Sequence, residues 1–115
     1  IINFKMITVR EINTVDDFNE FKDYEKETLH ILKVGASWCQ PCKMLASTIK
    51  GLDSEKTLHS LFAEVDVDEV EEIADILNIR NVPVLVYYKN GEEVKRTVGL
   101  VMADEIYKTI EELSK

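Results

Sequence analysis

Nine consecutive residues, Thr28 to Ala36, read Thr-Leu-His-Ile-Leu-Lys-Val-Gly-Ala and are nearly all apolar. A run of that length with no polar alternation is the pattern of a strand buried on both faces. No other feature constrains the chain as much. A strand without a solvent side needs a covering layer above and below, and helices are the elements that supply it. Helical spacing is present on either side of the run. After Thr14, whose pairing with Asp17 three residues later reads as a helix start, Val15, Phe18 and Phe21 recur at helical period. Met44, Leu45, Ile49 and Leu52 mark a second helix that weakens at Gly51. Val70, Ile73, Ala74 and Leu77 follow i, i+3, i+4, i+7 spacing and predict a third.

Met6 to Ile12 alternates weakly and predicts an edge strand, and Leu61 to Val67 predicts another. Val84 to Tyr88 and Glu93 to Val98 flank Lys89-Asn90-Gly91-Glu92, whose Asn-Gly is a strong short hairpin signal. Gly99 leads into a last helix with Ile106, Ile110 and Leu113 on one face and Asp104 and Glu105 in its first turn. The order β-α-β-α-β-α-β-β-α predicts an α/β fold with a mixed sheet and helices on both faces. Residues 1–115 read as one domain without repeats or linkers, with 1–5 expected as an extension ahead of the fold and Met6 as a candidate initiator. The 14 basic and 22 acidic side chains give a formal charge of −8, which opposes binding to nucleic acid or to an anionic membrane. The N-terminus carries no signal-peptide core. The longest apolar run, Val82 to Tyr88, is far short of the about 20 residues of a membrane span. The expectation is a monomeric cytoplasmic protein.

Two cysteines cannot build a disulfide framework, so their spacing decides what they do. They stand as Cys39-Gln40-Pro41-Cys42, where the apolar strand ends and the second helix begins. At a helix N-terminus, free backbone N–H groups and the positive end of the dipole stabilise a thiolate. One turn later, a second sulfur can reach back and close a short disulfide ring. Pro41 is tolerated in a first turn because its missing N–H would have had no intrahelical partner. Trp38 offers a flat contact surface beside the pair. A lone C-x-x-C is shared by redox centres and zinc half-sites, and zinc would require both His30 and His59. These lie 29 residues apart on opposite sides of the motif, so packed or solvated histidines are the better reading and no metal is expected.

Trp38-Cys39-Gln40-Pro41-Cys42-Lys43 resembles the W-C-G-P-C-K active site of thioredoxins, with Gln40 in place of the glycine. Val82-Pro83 is similar to the active-site cis-proline segment of that family. Lys89 to Glu92 and Val98-Gly99 resemble its hairpin turn and the glycine after its last strand. The resemblance spans the chain from Ile7 onward. It implies a thioredoxin fold and the reduction or exchange of protein disulfides. Cys39 would be the exposed attacking thiolate and Cys42 the more buried resolving thiol. Trp38, Gln40, Pro41 and Lys43 would support the site, while Val82, Pro83 and Gly99 would bind the substrate chain. The resemblance further implies no cofactor beyond the Cys39–Cys42 disulfide. Its partners would be disulfide-containing proteins and a reductase such as a thioredoxin reductase. The rival readings are a redox-inactive binding or assembly module on the same fold, and a more oxidising exchange protein.

The sequence departs from the family pattern beneath the motif. Where thioredoxins carry a buried aspartate, six residues before the first cysteine, this chain has Lys33, and where they tend to place a lysine it has Glu64. The expectation is an ion pair with its charges exchanged. The alternative is a Lys33 that snorkels to solvent past a surface Glu64. Glu64 or a desolvated Lys33 would then manage the proton of the second cysteine. A charged Lys33 favours thiolate, so the expected potential is equal to or less reducing than that of an ordinary thioredoxin. Ser47 replaces a helix-kinking proline, and Val84 stands where a threonine is frequent. Gly35 replaces an aromatic, which predicts a hollow under the site. Asp66, Asp68, Glu69, Glu71 and Glu72 read as a solvated turn and helix start rather than a metal loop.

Overall fold

Leu29–Gly35 forms β2, the central strand of a five-stranded sheet, in a computed structural model that describes residues 7–25 and 27–115. The expectation for residues 1–5 and for Met6 lies outside the described residues. Around β2 the elements follow as β1 (Val9–Glu11), α1 (Val15–Asp23), α2 (Gln40–Lys50), β3 (Ser60–Asp66), α3 (Glu71–Ile76), β4 (Val84–Lys89), β5 (Glu92–Val98) and α4 (Ala103–Leu113). The strand order is β1-β3-β2-β4-β5. β2 runs parallel to β3 and antiparallel to β4, β1 is parallel to β3, and β4 and β5 form an antiparallel hairpin. β4 and β5 join through a tight turn, as only antiparallel neighbours can, whereas the parallel β2 and β3 are connected by a helical crossover, α2.

Alternation along the strands divides the interior into two cores. Leu32, Val34, Ala63, Val65, Val86 and Tyr88 pack with Phe18 and Phe21 of α1 and Ile73 of α3. Leu29, Ile31, Phe62, Leu85 and Tyr87 pack with Leu45 and Ile49 of α2 and Ile106 and Ile110 of α4. Each such side chain, fully removed from water, contributes roughly 1.5–3 kcal/mol. Lys33 is the one residue of β2 that is not fully buried.

Local chemistry sets the element ends. Thr14 caps α1, its hydroxyl accepting the Asp17 N–H at 3.0 Å, while Asp17 reaches back to accept the Asn13 N–H at 3.0 Å. The two-residue hairpin loop has positive φ at both Asn90 (55°) and Gly91 (80°), the geometry that matches strand twist. That loop lies against the end of α1, where Asn90 Oδ1 accepts the Glu27 N–H at 3.1 Å. β2, β4 and β5 begin and end within one residue of the expected ranges, α2 stops at Lys50, short of Leu52, and other boundaries differ as follows. β1 is shorter than Met6 to Ile12. β3 starts and stops one residue earlier than Leu61 to Val67. Val70 and Leu77 flank α3 rather than belong to it, although their side chains are buried. The chain turns left-handed at Asn78 (φ 53°), and the Leu77 carbonyl accepts from Arg96 of β5 at 2.7 Å.

Candidate active site

β2 delivers the chain to Ala36, whose carbonyl accepts the Cys39 N–H at 3.2 Å, and the turn places Cys39 as the N-cap of α2. Its sulfur takes the position that a serine or aspartate oxygen takes in an ordinary cap, and accepts the Cys42 N–H at 3.2 Å. One turn into the helix Cys42 closes the disulfide with Cys39 across a Cα–Cα distance of 5.3 Å. Pro41 sits in the first turn, and that turn holds no acidic residue to oppose a negative sulfur. Cys39 is less exposed than expected. It is 5% exposed and Cys42 2%, because Ala36, Val67 and Val82 close around the pair. The exposed members of the motif are Trp38, Gln40, Pro41 and Lys43.

Trp38 is 70% exposed, yet its indole is fixed in place: Nε1–H donates to Asp68 Oδ2 at 2.8 Å. The sequence predicts a solvated acidic turn for Asp68. Its backbone N–H does donate to Asp66 Oδ1 at 2.8 Å, as in such a turn, but the carboxylate holds a residue 30 positions away. No local pattern signals that contact.

Distant segments meet at the disulfide. The Val82–Pro83 bond is cis, and the Val82 carbonyl oxygen lies 3.9 Å from Cys39 Sγ. The Pro83 carbonyl accepts the Gly99 N–H at 2.8 Å, which joins the glycine after β5 to the proline before β4. Gly99 has φ 93°, and a Cβ there would meet nothing within 4 Å, so backbone conformation rather than crowding calls for glycine.

On the α2 side of the sheet, register pairs Lys33 with Glu64, and Lys33 Nζ lies 3.2 Å from Glu64 Oε2. The side chains are 11% and 31% exposed, so neither lies in bulk solvent. Both line a cavity of about 340 Å³ with Glu11, Gly35, Cys42 and Glu69. The hollow expected under the site is present, with Gly35 and Cys42 both in its lining. The space over the glycine is filled by the Cys42 side chain, and the cavity opens beside it. α2 continues through Ser47 without interruption.

His30 is buried against Phe21, with ring centroids 5.3 Å apart, and burial holds its pKa below the ordinary value. His59 is exposed. Among the described residues no three His, Cys, Asp or Glu side chains are grouped to hold a metal ion. Tyr87 and Tyr88 are buried in β4, as strand packing requires.

A cysteine pair capping a helix at the end of a central strand, faced by a proline segment, defines a protein of thiol–disulfide exchange. A family model described as thioredoxin matches residues 9–112. Human thioredoxin is 31% identical over 105 residues, covering 91% of this chain and 98% of that protein. Tobacco thioredoxin H-type 1 is 34% identical over 98 residues, covering 84% and 76%. Among solved structures, the thioredoxin of Malassezia sympodialis superposes with a TM-score of 0.82 at 28% identity, over 94% of this chain and 92% of that one. The Fasciola hepatica thioredoxin does so at 0.82 and 30% identity, over 90% and 98%. The chain belongs to the thioredoxin family. Its activity is thiol–disulfide oxidoreduction through Cys39 and Cys42. No helix among the described residues is long and apolar enough to cross a membrane.

Proposed function

We propose that Cys39 attacks protein disulfides as a thiolate, that Cys42 resolves the mixed disulfide, and that a thioredoxin reductase in the cytoplasm restores the dithiol. The placement of Cys39 as the α2 cap, its sulfur receiving the Cys42 N–H, carries this assignment. A thiolate there gains a backbone donor and the positive end of the helix dipole. Attack forms a bond from Cys39 Sγ to one substrate sulfur, while the other leaves as thiolate and takes a proton. Cys42, deprotonated, then attacks Cys39 Sγ. The Cys39–Cys42 bond forms, the second substrate thiolate leaves, and the two electrons of the dithiol have passed to the substrate.

The surrounding residues divide the remaining work. Val82 supplies backbone for pairing with an extended substrate chain, Pro83 shapes the groove, and Gly99 leaves its far rim open. Trp38, held by Asp68, is the platform beside the sulfur, with Gln40, Pro41 and Lys43 on the exposed turn. Glu64 shares a cavity with Cys42 and is the carboxylate positioned to receive its proton, and Lys33 orients it. With Lys33 compensated by Glu64, the potential is equal to or less reducing than that of an ordinary thioredoxin. The domain, residues 1–115, works as a monomer and uses no cofactor other than its own disulfide.

Reduction of insulin disulfides tests the assignment. Turnover is expected in the unsubstituted protein and lost in Cys39→Ser. Cys42→Ser is expected to hold substrate proteins on Cys39 as mixed disulfides, identified by mass. Turnover surviving in Cys39→Ser, or an empty trap, refutes the roles given to the two cysteines.

A further inference from the structure

Gly35 ends β2 directly beneath the resolving cysteine. A Cβ built on it would stand 3.2 Å from Cys42 Sγ and 3.3 Å from Cys42 Cβ, with Lys33 Cε at 3.9 Å. The positive-φ glycines are Gly91 and Gly99, so the backbone at Gly35 does not itself demand glycine. What the position lacks is a side chain, and the space that this leaves belongs to Cys42. The same glycine and the same cysteine line the cavity of about 340 Å³. Cys39 does not line that cavity, and its sulfur is held at the helix end by the Cys42 N–H.

Reduction replaces a covalent bond by a non-bonded contact, and two sulfurs that shared a bond then each need their full van der Waals radius. A close-packed interior does not yield that room by compression. One sulfur has to withdraw, and only Cys42 borders a cavity on its inner side. We propose that Gly35, by carrying no side chain, lets the Cys42 sulfur withdraw past it into the adjoining cavity on reduction, and that it thereby sets the balance between disulfide and dithiol. Gly35 is a positioning residue, acting through Cys42 and touching no substrate. The inference rests on Cys39 and Cys42 being the working couple.

Titration against glutathione tests it. In the forward step the Cys39–Cys42 bond takes two electrons and two protons from two glutathione thiols, which leave as one glutathione disulfide. In Gly35→Ala the added methyl, 3.2 Å from Cys42 Sγ already in the disulfide, stands in the path of withdrawal and weighs on the dithiol more than on the disulfide. The equilibrium is expected to move about tenfold toward the disulfide, which makes the couple ~30 mV more reducing. Thermal unfolding of both forms is a readout that a general packing defect would not reproduce, since the reduced form is expected to lose more stability than the oxidised one. An unchanged or less reducing potential, or equal losses in the two forms, overturns the proposal. The unsubstituted protein is titrated and assayed on insulin alongside; absence of turnover there would count against the exchange roles and not against Gly35. If Gly35→Ala does not fold, the double variant Gly35→Ala/Cys42→Ala removes the obstructing sulfur. Recovery of folding supports the proposal, and its absence overturns it.

Discussion

Between Lys33 and Glu64 the 3.2 Å contact joins two groups of unequal burial, and the inequality decides what each can do. Lys33 is nearly out of water and needs its partner, whereas Glu64 keeps some contact with solvent. Removing either strands the other, at about 1–2 kcal/mol, between the cost of breaking an exposed pair and a buried one. The redox consequences have opposite signs. Lys33→Ala removes the cation that favours thiolate and is expected to make the couple more reducing; Glu64→Gln unmasks that cation and is expected to make it less so. Each shift should be about 30 mV, a tenfold change in the equilibrium. Glutathione titration of both variants checks this, and shifts of the same sign would refute it. His30 provides a pH prediction. Its ring is 1% exposed and burial lowers its pKa, with Glu25 and the Thr28 backbone opposing this more weakly. The unfolded chain therefore binds that proton more readily than the folded one, so stability is complete above the ordinary value of 6.5 and falls as pH drops below it. Urea midpoints between pH 7.5 and 5.5 should show the fall, and His30→Phe should flatten it. At this scale the cysteine pair was legible because its spacing, its place between a strand and a helix and the separation of His30 from His59 together state its chemistry. Asp68 was not, because a contact across 30 residues leaves no local trace.

Among the elements, β2, α4 and the hairpin were readable for one reason: in each, the burial period and the hydrogen-bond pattern agree. α3 shows what happens when they part. Val70 and Leu77 continue the apolar spacing because they pack into the core, but the backbone leaves the helix at both, and only hydrogen bonds reveal where. The hairpin turn carries two constraints at one residue. Gly91 has φ 80°, and a Cβ there would stand 2.7 Å from Asp23 Oδ1 at the end of α1. Asp23 sits at the far end of a side chain and can move, so the backbone conformation is the larger obstacle. Gly91→Ala is expected to cost about 1–2 kcal/mol. Chemical denaturation measures it, and a neutral result would show that the turn relaxes to another type.

For the molecule as a whole, composition limited the class of partners and the resemblance implied the fold, but periodicity could not order the strands. Placing β2 between β3 and β4 depends on pairings between residues far apart in the chain, and a period of two reports burial without naming a neighbour. The two cores follow from that order, since β2 serves both. So does the position of the active site, at the end of the strand with most packing on either side. The strand order has another consequence, at the margins. It leaves β1 and β5 as the outer strands, one only three residues long, the other bearing Glu92, Glu93, Lys95 and Arg96. A short rim and a rim of mixed charge both make poor templates for another chain. The sheet is thus guarded against growing by strand addition, and copies of the molecule can crowd together without their sheets joining edge to edge.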